Sequence, residues 1–244
     1  MPTASRLDVV RRLMEDKPAF HMRGEARWDA LPSTLRWISD TVAVGDCTIE
    51  TGVGASTVVF ASCGARHTAI SPDPTEHQLV REYCERVGID HSGVTFVAGL
   101  SDDVLPATLG RDRVLDAAFI DGAHSFPFPE VDWYYITRSM KAGGKLLLDD
   151  VPIPAVTPVF RHMRLEPNWR LDGIFDDRAA AFTLVGPPAP ESWADQPFND
   201  HYPDLSFVSL PRRMRLAAGY TTVRVRGSLA RRYPGLRSLA RRRS

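Results

Sequence analysis

Acidic side chains follow two short apolar segments of the chain, at positions where they could do chemistry. Asp121 follows the segment 115–120, and Asp149 and Asp150 close the segment that starts at Gly144. If these segments are parallel strands of one sheet, their carboxyl ends meet in a crevice of the kind that binds ligands. Close carboxylates raise one another's pKa unless a cation binds them, and three oxygen donors without cysteine suit Mg²⁺. Asp121, Asp149 and Asp150 therefore form a predicted metal site. The alternative is that Asp121 binds a ligand while the pair caps the next segment or faces water.

His124 lies three residues after Asp121, in the loop that would border this crevice. An imidazole at such a position can act as a general base toward a bound substrate. It can equally be an outer ligand of the predicted metal, or an ordinary loop histidine. The residues alone leave these three interpretations open.

A glycine-containing loop, Glu50-Thr51-Gly52-Val53-Gly54-Ala55-Ser56-Thr57, follows the first apolar segment and opens a helical stretch. Glycines let the backbone approach a ligand closely, and a helix N-terminus offers free N–H groups. A phosphate-binding loop would need a lysine that is absent here, and a dinucleotide-binding loop would need a third glycine where Thr57 stands. S-adenosylmethionine fits better, because Glu50 can neutralise its ammonium and would repel a pyrophosphate. The alternative is a tight strand-to-helix turn without a ligand.

Short apolar segments alternate with helical stretches, and these elements must position the residues named above. The predicted strands cover 46–51, 67–71, 94–98, 115–120 and 144–149. The predicted helices between them cover 56–64, 75–88, 101–109 and 129–141. This alternation favours a parallel sheet with helices on both faces. Two further segments, 169–175 and 179–186, flank Asp176-Asp177-Arg178 and predict an antiparallel hairpin that closes the sheet. The expected fold is α/β: a doubly wound, Rossmann-like, mostly parallel seven-stranded sheet with a C-terminal antiparallel hairpin and a basic extension.

Two predicted segments precede the sheet, and a polar arm follows it. Residues 5–16 have the apolar spacing of a helix, and the charged loop 17–32 could close over the crevice as a lid. Ser33 is the expected N-cap of the next helix. We therefore expect an N-terminal segment at 1–32, a ligand-binding domain at 33–186, and a Pro-rich linker with an Arg-rich extension at 187–244.

Composition excludes several classes of protein. Hydrophobic residues make up 43% and charged residues 25%, which excludes a disordered chain. Three cysteines at wide spacing give neither a disulfide framework nor a zinc site. No apolar run approaches the ~18 residues of a membrane span. The charged N-terminal segment also excludes a signal region, so we expect a cytoplasmic protein without a transmembrane span.

Charge is divided unequally along the chain, although its 30 basic and 30 acidic residues cancel. Residues 205–244 contain eleven arginines and no acid, whereas residues 1–204 carry 19 basic and 30 acidic side chains. Such a basic block is either a solvated tail, a segment folded back on the acidic body, or an arm that contacts an anionic surface or partner. Lipid head groups, an acidic protein or an anionic glycan carrier would fit the last interpretation.

The chain resembles class I S-adenosylmethionine-dependent methyltransferases over about residues 33–186. The resemblance rests on the run TIETGVGASTVVFAS, on the run LDAAFIDGAHSFPFPEVDWYYITRSMKAGGKLLLDDV, and on the closing hairpin. The first run matches the family's E/D-x-G-x-G cofactor loop. The second is similar to the metal-dependent subset that methylates small-molecule oxygen, including catechol-type and macrolide-sugar enzymes. That subset holds a divalent ion with an acid after the fourth strand and an acidic pair after the fifth, which correspond to Asp121, Asp149 and Asp150.

The resemblance also implies a cofactor site at the strand ends, with two departures from the family. The implied cofactor residues are Glu50, Thr51, Gly52, Gly54, Ser56, Ser71, Asp73, Ser101 and Asp121. The second strand ends at Ser71 and not at the ribose-binding acid, so that either Asp73 or Glu76 reaches the ribose or the ribose is held differently. After the third strand, Ser101 and backbone groups stand where the family often has an acid near the adenine.

The implied activity is transfer of a methyl group from S-adenosylmethionine to an oxygen. The predicted catalytic residues are His124, Asp121 and Asp149. A bound Mg²⁺ would lower the pKa of the acceptor hydroxyl, and His124 would accept its proton; without metal, His124 or Asp149 would act alone. The expected acceptor is a small molecule, a sugar hydroxyl or a glycan end. The alternatives are a non-catalytic ligand-binding or scaffold protein with this fold and an NAD-dependent oxidoreductase. The oligomeric state is open, with a homodimer among the alternatives.

Overall fold

The structure is a computed structural model, and it describes residues 6–21, 30–110, 112, 114–186, 196–200 and 205–232. Two compact units divide the chain. The larger contains Met1–Arg164 and Trp169–Pro187, and the smaller contains Leu165–Asn168 and Pro188–Ser244.

A seven-stranded sheet with strand order β3-β2-β1-β4-β5-β7-β6 forms the centre of the larger unit. Its strands are β1 Cys47–Thr51, β2 Arg66–Ser71, β3 Val94–Ala98, β4 Leu115–Ile120, β5 Met140–Leu148, β6 Trp169–Phe175 and β7 Ala179–Leu184. The first five strands pair in parallel, while β7 pairs antiparallel with both β5 and β6. The predicted fold class, including the closing antiparallel hairpin, is therefore confirmed.

Helices cover both faces of this sheet. They are α1 Arg6–Asp16, α2 Pro32–Thr41, α3 Ala55–Ser62, α4 Pro74–Val87, α5 Ser101–Thr108, α6 Phe128–Arg138 and α7 Thr157–Leu165. Neighbouring residues of β4 belong to different apolar clusters: Phe119 packs with residues of α1 to α4, whereas Ala118 and Ile120 pack with residues of α5 to α7. This division follows from the alternation of side chains along a strand, and it buries the sheet on both faces.

Two boundaries differ from the prediction. The expected helix over 129–141 ends at Arg138, and β5 already begins at Met140, which pairs with Leu115. The pairing shifts between Met140 and Lys145, the stretch in which Gly143 adopts a φ of 85°. The prediction of Ser33 as an N-cap is wrong. Helix α2 begins one residue earlier at Pro32, whose fixed φ suits a first helical position.

The β6–β7 hairpin turns through Asp176 and Asp177, whose φ angles are 49° and 52°. Aspartate tolerates this left-handed region better than most residues, because its short polar side chain can hydrogen-bond locally. The backbone of Arg178 follows the turn and accepts a hydrogen bond from the N–H of Val151 at 2.9 Å. This hydrogen bond joins the hairpin to the segment that follows β5.

In the smaller unit, the described residues form a 3₁₀ helix at Pro197–Asp200 and the 23-residue helix α8 at Leu210–Arg232. The N–H of Phe198 donates to Glu166 Oε1 at 3.4 Å, which joins two segments of this unit. None of the helices in the described ranges is long and apolar enough to cross a membrane. The remainder of the predicted linker, 187–195 and 201–204, and residues 233–244 of the extension lie outside the described residues.

Candidate functional site

A cavity of about 380 Å³ opens at the carboxyl ends of the parallel strands. All the predicted cofactor residues except Glu50 line it: Thr51, Gly52, Gly54, Ser56, Ser71, Asp73, Ser101 and Asp121. Asp150, His124 and Arg178 line it as well. The location agrees with the rule that open α/β sheets bind ligands beyond the carboxyl ends of their strands.

The glycine loop between β1 and α3 is shaped by close contact with the end of β4. Gly52 has a φ of 95°, and a Cβ added there would lie 2.4 Å from the carbonyl oxygen of Asp121. The Asp121 N–H donates to the Thr51 carbonyl at 3.0 Å, and the Gly52 N–H donates to the Ile70 carbonyl at 2.8 Å. Only glycine fits position 52 without a shift of backbone, so the loop is held open toward the cavity.

Glu50 lies behind this loop and does not line the cavity, unlike the other predicted cofactor residues. Its side chain is fully buried, and Oε1 accepts a hydrogen bond from the Thr57 hydroxyl and lies 3.1 Å from Nε2 of His67. The Thr57 hydroxyl in turn accepts from the Gly54 N–H at 3.0 Å. Glu50 Oε2 is buried without a hydrogen-bond partner among the described residues. Glu50 therefore braces the loop with one oxygen and keeps the other available as an acceptor.

A second carboxylate, Glu76, lies in the cavity one helical turn beyond the end of β2. The Ser71 hydroxyl donates to Glu76 Oε2, and His21 Nδ1 lies 2.9 Å from Glu76 Oε1. Burial tends to raise the pKa of Glu76, but the hydrogen bonds with His21 and Ser71 outweigh burial and lower it. The Asp73 carboxylate accepts from the Thr75 N–H at 2.9 Å and caps α4. Both acids proposed for the ribose thus line the cavity, and Asp73 also caps a helix, whereas Glu76 is oriented by Ser71 and His21.

His124 lies between two carboxylates at the end of β4. Its Nδ1 is 3.2 Å from Asp150 Oδ2, and its Nε2 is 3.5 Å from Asp121 Oδ1. Burial lowers the pKa of His124, but the neighbouring carboxylates, Asp121 first, raise it by more. Burial raises the pKa of Asp121 to about 7, although its contact with His124 lowers it. One ligand atom from each of Asp121, His124 and Asp150 lies within 4.8 Å of the others.

Asp149 differs in position from the prediction. Its side chain is fully buried, it is not among the residues lining the cavity, and its Oδ2 lies 2.9 Å from Nη2 of Arg178. Arg178 Nε lies 2.8 Å from Oδ1 of Asp150. Burial raises the pKa of Asp149, and Arg178 partly offsets that rise. The carboxylates of Asp149 and Asp150 are therefore not a free acidic pair, because one guanidinium already binds both.

This arrangement does not fit the predicted metal site of Asp121, Asp149 and Asp150. A divalent ion held by the β5 pair would have to displace Arg178 or lie beside its positive charge. His124 takes the place of Asp149 among the side chains that converge on the cavity. Asp149 is the member of the predicted set whose carboxylate faces the hairpin arginine.

Two residues of the site were not predicted from the sequence. His21 lies in the charged loop for which only a lid was expected, and nothing in its sequence context marks it. The position of Arg178 could have been predicted from the sequence. A hairpin strand that pairs antiparallel with β5 brings the residue before Ala179 close to the end of β5. The observed pairing of Leu148 with Ala180 places Arg178 in that position.

Comparison with known proteins agrees with this architecture. Residues 49–151 match the family model described as a methyltransferase domain. No curated protein sequence matches the chain.

Several solved structures share the fold at low sequence identity. A protein from Corynebacterium glutamicum is 14% identical, with a TM-score of 0.58 over 74% of this chain and 91% of that chain. The O-methyltransferase TomG from Streptomyces achromogenes, involved in tomaymycin synthesis and solved with S-adenosylmethionine, is 15% identical, with a TM-score of 0.55 over 76% and 92%. An O-methyltransferase from Bacillus cereus, solved with S-adenosylhomocysteine, is 16% identical, with a TM-score of 0.55 over 76% and 93%. The family match over residues 49–151 and the strand order agree with the Rossmann-like fold of methyltransferase domains.

Proposed function

We propose that the protein is an S-adenosylmethionine-dependent O-methyltransferase that acts on a small molecule or a sugar hydroxyl. The observation that carries the proposal is the glycine loop at the end of β1, which borders the cavity and is braced by the buried Glu50. TomG and the Bacillus cereus enzyme, which share the fold, are O-methyltransferases solved with S-adenosylmethionine and S-adenosylhomocysteine respectively. These two structures support the proposed cofactor and the proposed type of reaction. Neither of them indicates which acceptor this protein methylates.

The residues present fit S-adenosylmethionine. The loop N–H groups suit the carboxylate of the methionine part. The Glu50 carboxylate, buried behind the loop, favours the positive charge of the ammonium without lining the cavity. Glu76 is the carboxylate that suits the ribose hydroxyls, since hydrogen bonds with Ser71 and His21 keep it ionised and oriented. Leu100 and Ser101 line the cavity beyond β3, where an apolar side chain and a hydroxyl suit the adenine.

His124 is the proposed general base for the acceptor hydroxyl. An alcohol or phenol is a poor nucleophile while it carries its proton, and the bound sulfonium supplies an activated methyl group. His124 lines the cavity with Nδ1 facing Asp150 and with Nε2 3.5 Å from Asp121, and Nε2 is the nitrogen that we propose takes the proton. The acceptor oxygen then forms the C–O bond, and the electron pair of the broken C–S bond returns to sulfur.

The other predicted catalytic residues act through this histidine. Asp121 lies 3.5 Å from Nε2 of His124 and borders the cavity, so it can stabilise the imidazolium that forms. Asp149 reaches the site only through Arg178, so we propose that it is a positioning residue. Assistance by Mg²⁺ stays a prediction from the sequence. The pairing of Asp149 and Asp150 with Arg178 does not favour it.

We also propose that the basic extension binds an anionic surface. Helix α8 exposes Leu210, Met214, Val225 and Leu229, each by 46% or more, at spacings that place them on one side of a helix. Arg212 and Arg215 lie on the same helix. Exposed apolar side chains with flanking arginines are typical of helices that lie on anionic membranes. The domain boundaries, a cytoplasmic location and a homodimer stay predictions.

Methyl transfer itself tests the proposal. The protein is incubated with S-adenosylmethionine labelled on its methyl group and with separate panels of phenols, sugars and glycan ends. We expect labelled product from at least one panel and a loss of transfer in the His124→Ala variant. Tight S-adenosylhomocysteine binding with no transfer to any panel would instead favour a non-catalytic ligand-binding protein.

A further inference from the structure

The guanidinium of Arg178 lies between the two carboxylates that the sequence assigns to a metal ion. Its Nη2 is 2.9 Å from Asp149 and its Nε is 2.8 Å from Asp150. The Asp149 side chain is fully buried, and 29% of the Arg178 side chain is exposed, on the wall of the cavity. One arginine thus places a positive charge between the two carboxylates.

The backbone fixes this arginine in place independently of its ion pairs. The Arg178 N–H donates to the Phe175 carbonyl at 3.0 Å, and the Arg178 carbonyl accepts from the Val151 N–H at 2.9 Å. Val151 directly follows Asp150, so the hairpin and the end of β5 are joined at the point where the charges meet. The guanidinium therefore has a fixed position in the wall of the cavity.

The direct pairing of the β5 carboxylates with Arg178 favours this arrangement over a divalent ion. Three carboxylates, those of Asp121, Asp149 and Asp150, face two groups that can be cationic, Arg178 and His124. Buried carboxylates are stable when paired and hydrogen-bonded, and Arg178 does both for Asp149. A second cation at the β5 pair would meet a fixed charge at short range in a medium that screens poorly.

We propose that Arg178 is a built-in cation that replaces a divalent metal at the end of β5, so that the metal-free protein is the working form. Arg178 neutralises Asp149 and holds Asp150, and Asp150 in turn orients Nδ1 of His124. Arg178 is thus a positioning residue for the base. The inference deepens the proposed function and rests on it for the reaction, but metal binding can be measured without any acceptor.

Binding of Mn²⁺, followed by electron paramagnetic resonance, tests the proposal. Arg178→Met removes the charge and keeps the length of the side chain, whereas Arg178→Lys keeps a charge. Arg170→Met is the matched control, because Arg170 lies in the same hairpin and pairs with Asp172, outside the crevice. We expect only Arg178→Met to gain Mn²⁺ affinity, on the order of 10²-fold, because removal of an adjacent unit charge no longer repels the ion. Adding Asp150→Asn to Arg178→Met should remove that gain.

Micromolar Mn²⁺ binding by the wild-type protein, with no gain in Arg178→Met, would overturn the proposal. If Arg178→Met does not fold, the wild-type titration and Arg178→Lys decide: absence of binding in both supports the built-in cation, and micromolar binding in either contradicts it. Titration of each variant with S-adenosylhomocysteine separates this result from the proposed function. If the wild-type protein binds neither Mn²⁺ nor S-adenosylhomocysteine, the methyltransferase proposal is contradicted. The Mn²⁺ titrations of the wild type and the variants can still be interpreted in that case.

Discussion

His124 carries the proposed chemistry at the scale of single residues, and its neighbours set the pH at which it can work. A general base must be neutral, and the carboxylates of Asp121 and Asp150 raise the pKa of His124 above its usual value of 6.5. Protonation therefore persists to higher pH than for a free imidazole. The same carboxylates stabilise the imidazolium that forms during methyl transfer. His124 is therefore a stronger base than a free imidazole, but it is protonated and inactive over a wider range of low pH.

The pH profile of methyl transfer should show this shift. We expect the rate to fall as pH decreases through a value above 6.5, because His124 gains its proton there. His124→Ala should lower turnover by ~10²-fold or more and remove the acidic limb. His91→Ala, in the turn before β3, is the control and should change neither. A His124→Ala variant with wild-type turnover would reject the assignment of the base.

Glu76 provides a second residue-scale prediction, on cofactor affinity. Glu76→Gln keeps the size of the side chain and removes the charge that hydrogen bonds with Ser71 and His21 orient. A hydrogen bond to a charged group is worth about 1.5–3 kcal/mol, so S-adenosylhomocysteine should bind about 10- to 100-fold more weakly. Glu82→Gln, exposed on the same helix α4, should bind like the wild type. Equal affinities for the two variants in calorimetric titration would remove Glu76 from the cofactor site.

At the scale of elements, the β1–α3 loop and the end of β4 depend on one another. Gly52 and Gly88 both adopt positive φ, at 95° and 75°, but only at Gly52 would a Cβ meet backbone, 2.4 Å from the Asp121 carbonyl. Gly88 has open space around it. Alanine at Gly88 would therefore introduce backbone strain alone, whereas alanine at Gly52 would add a steric conflict between the β1–α3 loop and the end of β4.

Alanine at these two positions should have unequal effects. Gly88→Ala should lower the free energy of unfolding by about 1–2 kcal/mol, the cost of a left-handed residue with a Cβ. Gly52→Ala should cost about 1–3 kcal/mol more, because the loop and β4 must also move apart, and it should weaken S-adenosylhomocysteine binding. Urea unfolding measures the stabilities. Equal losses in both variants would show that the close approach at Gly52 is not a constraint.

The elements themselves were largely predictable from the sequence, because strands buried on both faces leave a strong apolar signal. The sequence positions of β1 to β5 and the hairpin follow from such runs. The expected meeting of Asp121, Asp149 and Asp150 holds for Asp121 and Asp150, which line the cavity with His124, whereas Asp149 does not line it. The start of β5 did not follow, because Lys141-Ala142-Gly143-Gly144 lacks strand character and its pairing with β4 is irregular. The contacts of Arg178 and His21 depend on long-range pairing, which periodicity does not encode.

At the scale of the whole molecule, the division of charge is the main feature that the fold does not explain. Residues 1–204 carry 19 basic and 30 acidic side chains, whereas residues 205–244 carry eleven arginines and no acid. In the described part of the extension, α8 combines arginines with exposed apolar side chains. The net charge of zero is therefore the sum of an acidic part, residues 1–204, and a basic part, residues 205–244.

Binding to vesicles tests the role proposed for this arm. Replacing Arg212 and Arg215 with glutamine should weaken binding to phosphatidylserine vesicles at low salt by about tenfold or more, since each basic residue contributes about 1 kcal/mol. Replacing both with lysine preserves the charge and should preserve binding. Deletion of 228–244 should weaken it further. Sedimentation with neutral vesicles is the control, and equal binding of wild type and the glutamine variant would dismiss the electrostatic role.

The most direct test of the central claim needs no acceptor. The full-length protein is titrated calorimetrically with S-adenosylhomocysteine and, separately, with NADH. We expect S-adenosylhomocysteine to bind at one site per chain, Gly52→Ala but not Gly88→Ala to weaken this binding, and NADH to give no heat of binding. Binding of NADH in preference to S-adenosylhomocysteine, or binding of neither ligand, would contradict the central claim.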